Sequence, residues 1–327
     1  MSGLEINLAP FRIDPSFSER VWGYRDLRPW YDKVAVGDPL GEVWLTGDDC
    51  LVASGPYAGK RLAEVFAEAH EALLGAGVPT AESPLLLKVL FAQQKLSVQV
   101  HPDDRMAQKY GAPRGKTECW YALDAKPGAE VALGLKPDTT LDQVEKGIHD
   151  GRLESYLNVL PVAKGEMLFV DAGTVHAIWP GAILLETQQN CDLTYRMYDY
   201  GRGRELHIEK SLEATRLRTR AGKVAPQRLV DRSVLLDSAY FRIERLAVDG
   251  RRTSESLRGV EGKRSLAYLF AASGAGRIAG AGFDPVELPP RGVVAIPASS
   301  PEFAIENVGG ETLDLIRIVP NWPGKAA

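Results

Sequence analysis

Gln99 and His101 are two residues whose types and spacing suggest chemistry. They lie in the segment 97–101, which its neighbouring residues indicate to be a β-strand. Successive side chains of a strand alternate between its two faces, so Gln99 and His101 point the same way. An amide oxygen and an imidazole nitrogen that converge on one face can hold a metal ion. This pair therefore predicts one part of a metal site.

Two further residues can complete that site. Glu118 lies in a predicted strand over 116–123, and His176 closes the stretch 165–176. Each residue alone would be an ordinary core or surface residue, but the set in this order indicates a site. Two imidazoles, a carboxylate and an amide oxygen suit a borderline divalent ion such as zinc, with a position left for water or a substrate oxygen. We therefore predict a metal site formed by Gln99, His101, Glu118 and His176.

The composition limits the classes of partner. The chain has 327 residues, of which 45% are hydrophobic and 25% charged, and its net charge is −4. No long basic run is present, so neither nucleic acid nor a membrane is an expected partner. A bound phosphate would have to be met by a few placed cations. The oligomeric state is not indicated by the sequence.

The cysteines and the N-terminal residues predict a cytoplasmic protein. Cys50, Cys119 and Cys191 form no CxxC pair and suit a reducing compartment. The first residues lack the basic and apolar segments of a signal peptide, and no apolar run approaches the ~20 residues of a membrane span.

The elements that must position the candidate ligands are mostly short strands. Apolar stretches of a few residues, separated by Gly, Pro and Asp, recur along the chain and predict a sandwich or barrel rather than a βαβ sheet. A helix is predicted over 61–74, where apolar residues recur at helical spacing before Gly75. A second helical stretch is predicted over 138–160.

The stretch 165–176 matches the second motif of the cupin jelly roll, Gly-x5-Pro-x-Gly-x2-His, with Asp171 in place of the proline. A weaker copy begins at Gly292 and is followed by no histidine. We therefore predict a mainly β fold of two cupin-type jelly-roll barrels, the second degenerate and without metal, plus a small helical insertion. The predicted ranges are 1–137 for the first part of the N-terminal barrel, 138–160 for the insertion, 161–220 for completion of that barrel with the active site, and 221–327 for the C-terminal barrel.

Four segments together resemble the type I phosphomannose isomerases in their short bacterial form. These segments are 99–103, 115–121, 173–177 and 194–200, and the resemblance spans roughly residues 22–207. It implies a zinc-dependent enzyme that interconverts mannose 6-phosphate and fructose 6-phosphate. The expected partner is then a small-molecule sugar phosphate.

The resemblance also implies roles for single residues. It assigns zinc to the same four ligands and places Ser97 and Lys116 at the sugar phosphate. Arg196 and Glu42 match active-site positions of the family. Arg202 stands where the longer enzymes carry a phosphate-binding lysine, and it keeps the charge but changes the donor geometry.

Aldose–ketose isomerisation needs a base near C2, stabilisation of the enediolate oxygen and an anchor for the phosphate. Glu186, at the end of the predicted strand 183–186, is our candidate base, although a metal-bound hydroxide or a histidine would also serve. The alternatives are an isomerase of an unphosphorylated sugar, a cupin oxygenase and a non-catalytic sugar-phosphate sensor. The fourth ligand Gln99 and the cations Lys116 and Arg196 favour the sugar-phosphate isomerase.

Overall fold

The computed structural model describes residues 8–78, 80–254 and 265–321. Over these residues the chain is mainly β, which confirms the predicted fold class. The strands of the first half are β1 (Phe11–Asp14), β2 (Ser16–Tyr24), β3 (Leu40–Trp44), β4 (Leu51–Val52), β5 (Leu85–Phe91), β6 (Val98–Val100), β7 (Glu118–Ala125), β8 (Glu130–Leu135), β9 (Leu157–Pro161), β10 (Met167–Val170), β11 (His176–Ile178), β12 (Ala182–Gln189) and β13 (Tyr195–Tyr198).

The remaining strands and the helices complete the described elements. The strands are β14 (Gly222–Val224), β15 (Gln227–Arg228), β16 (Ser233–Asp237), β17 (Phe241–Val248), β18 (Arg251–Thr253), β19 (Ala267–Ser273), β20 (Gly276–Gly280), β21 (Val286–Leu288), β22 (Val293–Ile296), β23 (Phe303–Asn307) and β24 (Leu313–Pro320). The helices are α1 (Leu62–Leu74), α2 (Asp104–Lys109), α3 (Leu141–His149) and α4 (Ile208–Ala214), and Leu153–Tyr156 forms a 3-10 turn.

The chain divides into two compact units. The central unit comprises residues 17–43 and 85–224, and the terminal unit comprises the described residues on either side of these ranges. In the central unit the seven-stranded sheet has the order β14-β10-β7-β12-β5-β3-β2, and the five-stranded sheet has the order β13-β6-β11-β8-β9. Only Ser16 of β2 and Trp44 of β3 fall outside the central range. We call this unit the central sandwich.

The terminal unit is a second sandwich. Its eight-stranded sheet has the order β15-β16-β17-β24-β19-β22-β1-β4, and its four-stranded sheet has the order β18-β23-β20-β21. We call it the terminal sandwich. Its core contains Leu269 and Leu315 from the larger sheet and Ile278 and Ile305 from the smaller one, so apolar side chains of both sheets pack together.

The two sandwiches repeat one strand order. The sequence β10-β7-β12-β5 in the central sandwich corresponds to β22-β19-β24-β17 in the terminal one, and β6-β11-β8-β9 corresponds to β18-β23-β20-β21. The predicted repeat is therefore present in the sheet topology, although the second copy lacks the histidine of the motif.

The first 137 residues, which the sequence assigns to the first barrel, are shared between both units. β1 pairs with β22 and with β4 in the eight-stranded sheet. The backbone N–H of Ala298 donates to the carbonyl of Leu73 in α1 over 2.9 Å. A strand that pairs with another some 280 residues away has no local signal of that pairing, so the sequence pattern could not place these residues.

Helices cover one face of the five-stranded sheet. The apolar side chains of α3, including Val144 and Ile148, are buried in a cluster with strand residues such as Val98 and Ala132. The predicted helix over 61–74 is confirmed as α1, with Gly75 at its C-terminal end. The predicted insertion contains α3 and the 3-10 turn, but β9 begins within it because Leu157 already pairs with Leu135.

The core of the central sandwich lies between its two sheets and includes Trp120, Leu184, Val131 and Ile178. Strand β5 is buried along its whole length. Its one charged residue is Lys88, whose side chain is 2% exposed. No helix in the described residues is long and apolar enough to cross a membrane.

Candidate active site

Three buried side chains converge beside the core of the central sandwich. His101 follows β6, Glu118 begins β7 and His176 begins β11. The Nε2 atom of His101 lies 3.5 Å from Oε2 of Glu118, and Nε2 of His176 lies 3.6 Å from Oε1 of the same carboxylate. We call these residues the triad. Their ligand atoms all lie within 4.8 Å of one another, so together they can hold a metal ion.

Both imidazoles are oriented by backbone carbonyls. The Nδ1–H of His101 donates to the carbonyl of Leu193, and that of His176 donates to the carbonyl of Thr174, each over 2.9 Å. These bonds leave the Nε2 lone pairs directed at Glu118. Burial, followed by the nearby charge of Lys116, lowers the pKa of His101 well below its usual value. Burial likewise lowers the pKa of His176 to about 4. Both rings are therefore neutral at pH 7, which is the form that binds metal.

Gln99 lies next to the triad. Its Nε2 atom is 3.3 Å from Nε2 of His176, and its Oε1 accepts a hydrogen bond from the Ser97 hydroxyl over 3.3 Å. A half-turn of the amide exchanges these two atoms and directs the oxygen at the triad. The Ser97 hydroxyl can then accept a hydrogen bond from the amide nitrogen, since a hydroxyl both donates and accepts.

A cationic side chain already lies against the triad. The ammonium of Lys116 is 2.9 Å from Oε2 of Glu118 and 3.1 Å from Nε2 of His101. Although burial opposes its charge, the carboxylates of Glu118 and Glu186 raise the pKa of Lys116. The triad thus fits a positive ion, and its donor set of two neutral imidazoles and one carboxylate fits a divalent metal. The resemblance places Lys116 at the sugar phosphate, whereas here its ammonium contacts two metal-ligand candidates.

Two glycines explain why the ligand segments can approach one another. A Cβ on Gly115 would lie 2.4 Å from the backbone of Asp103, so only glycine allows the segment before Glu118 to pack against the segment after His101. Gly173 has a φ of 87°, and its N–H donates to the carbonyl of His101 over 2.9 Å. This bond ties the turn that leads to His176 to the end of β6.

A cavity of about 380 Å³ opens beside the triad, within the central sandwich. This volume falls in the range of sites that hold small organic ligands. Its lining is rich in charged groups. The lining residues are Arg20, Trp22, Glu42, Lys88, Leu90, Leu96, Ser97, Gln99, Lys116, Ile178, Glu186, Asp192, Thr194, Arg196 and Arg204.

Glu186, the candidate base, lines this cavity. Its Oε2 accepts a hydrogen bond from Nε1–H of Trp120 over 3.2 Å, and the same N–H donates to Glu118 over 3.1 Å. Lys88, the residue opposite Glu186 on β5, places its ammonium 3.9 Å from Oε1 of Glu186. Burial, and then the charge of Glu118, raise the pKa of Glu186 to about 7.

Glu42 and Arg196 also line the cavity, but Arg202 does not. Oε2 of Glu42 accepts a hydrogen bond from Arg20 over 2.9 Å and lies 3.7 Å from the Lys88 ammonium. The guanidinium of Arg202 donates to Asp199 and to the carbonyl of Lys95. Nine of the ten residues predicted for the site are thus brought to the triad or the cavity wall, and Arg202 lies apart from both.

Sequence reasoning missed four charged residues of the cavity, namely Arg20, Lys88, Asp192 and Arg204. Lys88 had a signal, because a lysine inside a continuous apolar strand must be buried with a charged partner. Arg204 is one of several arginines near residue 200, and no feature of the sequence separates it from Arg202.

The chain resembles proteins of known function. Residues 11–142 match the family model of phosphomannose isomerase type I, catalytic domain. The chain is 34% identical over 315 residues to the probable mannose-6-phosphate isomerase GmuF of Bacillus subtilis (strain 168), a match that covers 91% of this chain and 96% of that protein. It is 33% identical over 285 residues to the mannose-6-phosphate isomerase of Streptococcus mutans, covering 82% of this chain and 86% of that protein.

A solved structure has the same fold. The crystal structure of the mannose 6-phosphate isomerase from Bacillus subtilis superposes with a TM-score of 0.83 at 29% identity, covering 95% of this chain and 99% of that one.

Proposed function

Because the chain belongs to the type I mannose-6-phosphate isomerase family, we propose that it interconverts mannose 6-phosphate and fructose 6-phosphate in the cavity beside the triad, with one zinc ion per chain. The observation that carries this proposal is the buried triad of His101, Glu118 and His176 at the edge of a cavity lined by cations. A neutral pair of imidazoles with one carboxylate is a donor set that zinc prefers.

The cations of the cavity support a phosphorylated substrate. Lys116, Lys88 and Arg196 lie on a wall that also carries Ser97. Guanidinium groups present several N–H donors in a fixed fork and stay charged at neutral pH, so they suit a phosphate dianion. An unphosphorylated sugar would offer no anion to the guanidinium of Arg196, which donates to the neutral carbonyl of Glu205. The phosphate roles predicted for Ser97 and Lys116 remain part of the proposal, whereas Arg202 lies outside the cavity and is not assigned to the phosphate.

The residues of the triad would hold the metal, with the Gln99 oxygen as a fourth ligand after rotation of its amide. When bound, zinc supplies a Lewis acid that polarises the sugar oxygens. The ammonium of Lys116 must then leave Nε2 of His101, because that nitrogen has a single lone pair, which would ligate the metal. Ser97, Gln99 and His101 would form one edge of the cavity.

The isomerisation moves one proton from C2 to C1 and another from O2 to O1 through a cis-enediol, with no net oxidation. We assign the transfer between C2 and C1 to Glu186. Its carboxylate lies on the cavity wall, and the N–H of Trp120 fixes one of its oxygens. A pKa raised to about 7 by burial lets the group accept a proton from C2 and return it to C1 near neutral pH.

The test is a coupled assay with mannose 6-phosphate and with mannose, before and after chelation. We expect turnover of mannose 6-phosphate that is lost on chelation and restored by Zn²⁺, and turnover of mannose that is lower by at least about 100-fold, since the phosphate contacts are charge-assisted.

Two results would contradict the proposal. Isomerisation that survives complete removal of the metal, verified by elemental analysis, would exclude the metal mechanism. Equal turnover of mannose and mannose 6-phosphate would exclude recognition of the phosphate.

A further inference from the structure

A buried carboxylate just after β13 holds two arginines at once. The side chain of Asp199 is 3% exposed. Its Oδ2 accepts a hydrogen bond from Nε–H of Arg204 over 2.8 Å, and its Oδ1 accepts one from Nη2–H of the same guanidinium over 2.5 Å. Oδ1 also accepts a hydrogen bond from Nη1–H of Arg202 over 3.2 Å. The contact with Arg204 is therefore bidentate, which fixes the plane of that guanidinium.

The two arginines leave Asp199 in different directions. The Nη2–H of Arg202 donates to the carbonyl of Lys95 over 2.6 Å, and its guanidinium lies 5.3 Å from the centre of the Tyr200 ring. Arg204 instead lines the cavity beside the triad. Asp199 engages the Nε and Nη2 edge of Arg204, so the Nη1 edge is turned away from the carboxylate.

Arg196 is the second guanidinium on this wall. Its Nη1–H donates to the carbonyl of Glu205 over 2.9 Å, and its Nε is buried without a hydrogen-bond partner in the described residues. Burial, and then the charge of Arg204, lower the pKa of Arg196, so the two cations lie within electrostatic reach of one another. Two like charges held together beside a cavity are stabilised by a ligand that carries two negative charges.

From this geometry we infer that Arg204, oriented by Asp199, binds the substrate phosphate together with Arg196. This inference rests on the proposed sugar-phosphate substrate and assigns a specific pair of donors to it. Arg204 touches the phosphate, whereas Asp199 acts through Arg204 and is a positioning residue. Arg202, which the sequence predicted as the phosphate-binding residue, instead donates hydrogen bonds to Asp199 and to the carbonyl of Lys95.

The test compares substitutions at the two arginines. In Arg204→Ala we expect the KM for mannose 6-phosphate to rise about 10- to 100-fold, because a charge-assisted contact is lost. The kcat should change by less than about threefold, since the phosphate is remote from C1 and C2. Competitive inhibition by inorganic phosphate should weaken by a similar factor. Arg204→Lys keeps the positive charge but lacks the planar guanidinium, so its KM should lie between those of the wild type and Arg204→Ala.

The matched controls are Arg202→Ala and Arg218→Ala. Arg202→Ala removes a cation from the same carboxylate outside the cavity, and Arg218→Ala removes a surface cation that lies 3.9 Å from Asp138. Both should change KM by less than about twofold. A large rise of KM in Arg202→Ala, with none in Arg204→Ala, would overturn the inference.

The positioning role of Asp199 is tested by a double-substitution cycle. Asp199→Asn should raise KM, and adding Arg204→Ala to it should raise KM little further, because the guanidinium is already misplaced. Fully additive effects would show that Asp199 does not act through Arg204.

Failure of the proposed function can be told apart from failure of this inference. If the wild-type protein does not turn over mannose 6-phosphate, the shift in melting temperature on adding inorganic phosphate still reports binding at the site. A shift that persists unchanged in Arg204→Ala would overturn the inference, and a shift lost only in Arg204→Ala and Asp199→Asn would support it. A normal wild-type assay with an unchanged KM in Arg204→Ala would overturn the inference alone.

Discussion

The central and terminal sandwiches share a strand order but differ in the residues at corresponding strand ends. His176 begins β11 of the central sandwich, and Phe303 begins the corresponding strand β23. Glu118 begins β7, and Ala267 begins the corresponding β19. Phe303 packs against the apolar core of the terminal sandwich, and Ala267 belongs to it. The terminal sandwich thus reaches the same topology with apolar residues where the central one has metal-ligand candidates.

The strand order of these sandwiches therefore does not depend on a metal. Buried imidazoles and carboxylates cost free energy unless they are paired or ligate an ion, whereas apolar side chains at such positions stabilise a core. The terminal sandwich shows that this arrangement of strands folds with apolar residues at these strand ends. The polar triad of the central sandwich is therefore explained by a functional role and not by a requirement of folding.

A second correspondence involves charge. Lys88 on β5 lies opposite Glu186 on β12, and Glu244 on β17 lies opposite Arg317 on the corresponding strand β24. The carboxylate of Glu244 accepts a hydrogen bond from Arg317 over 2.7 Å. Two more arginines, Arg232 and Arg242, donate to the same carboxylate. The three arginines compensate the negative charge of Glu244, whereas Glu186 lies at a cavity where burial favours its neutral form.

The largest expected effect comes from the matched substitutions His176→Ala and Phe303→Ala. His176→Ala removes a ligand, so isomerase activity should fall to the level of the chelated wild type, and elemental analysis should find less than one metal ion per chain. Phe303→Ala should leave kcat/KM within about twofold and lower the stability by roughly 1–3 kcal/mol, because it removes a partly buried ring.

An effect of the terminal substitution on catalysis would contradict the assignment of the active site to the central sandwich. A loss of activity in Phe303→Ala at temperatures where the protein stays folded, as judged by circular dichroism, would mean that the terminal sandwich contributes to the reaction. Retention of metal and activity in His176→Ala would remove this histidine from the site.

A second pair, Glu186→Gln and Glu244→Gln, makes the same substitution in both sandwiches. Glu186→Gln should lower kcat by about 10²- to 10⁴-fold, as expected for loss of a general base, without lowering the stability of the metal-free protein at neutral pH. Glu244→Gln should leave kcat/KM unchanged but lower the free energy of unfolding by about 3 kcal/mol, because three arginines lose a buried counter-charge. Steady-state kinetics and denaturant unfolding measure the two effects.

Equal effects of the two substitutions on stability would contradict the distinction between them. Full turnover by Glu186→Gln with metal bound would exclude Glu186 as the base. Metal analysis of the variant is the required control, since Glu186 shares the Trp120 N–H with the ligand candidate Glu118.

The sequence was sufficient for the class of fold, the repeat and the triad. Alternation placed Gln99 and His101 on one face because that signal is local. The motif over 165–176 indicated His176, although β10 and β11 on either side of its turn lie in different sheets. The pairing of β1 with β22 and the choice between Arg202 and Arg204 could not be predicted. Both depend on contacts in space, and in the second case one buried carboxylate, Asp199, directs two neighbouring arginines to different places.

The smallest expected effect is on the pH dependence of stability in the metal-free protein. Burial raises the pKa of Glu186 from its usual 4.5 to about 7, so between these values the folded protein holds a proton that the unfolded chain has released. Stability contributed by this group therefore falls as the pH rises from about 4.5 to 7. For Glu244, burial opposes ionisation but Arg317 and its neighbours outweigh it and lower the pKa, so its stabilisation is complete above 4.5 and is lost only in more acidic solution.

Melting temperatures of the chelated protein at pH 5, 6, 7 and 8 distinguish these two carboxylates. Glu186→Gln should stabilise the protein more at pH 8 than at pH 5, since glutamine removes the cost of ionising a buried group. Glu244→Gln should lower the melting temperature by a similar amount at all four values, because the carboxylate it replaces is ionised throughout. The titration of His101 and His176 is common to all three proteins and cancels in the differences, provided that the substitutions leave the triad in place. A difference in melting temperature between Glu186→Gln and the wild type that does not change with pH would show that Glu186 is ionised across this range. Glu186 would then be a stabilised carboxylate, as Glu244 is in the terminal sandwich.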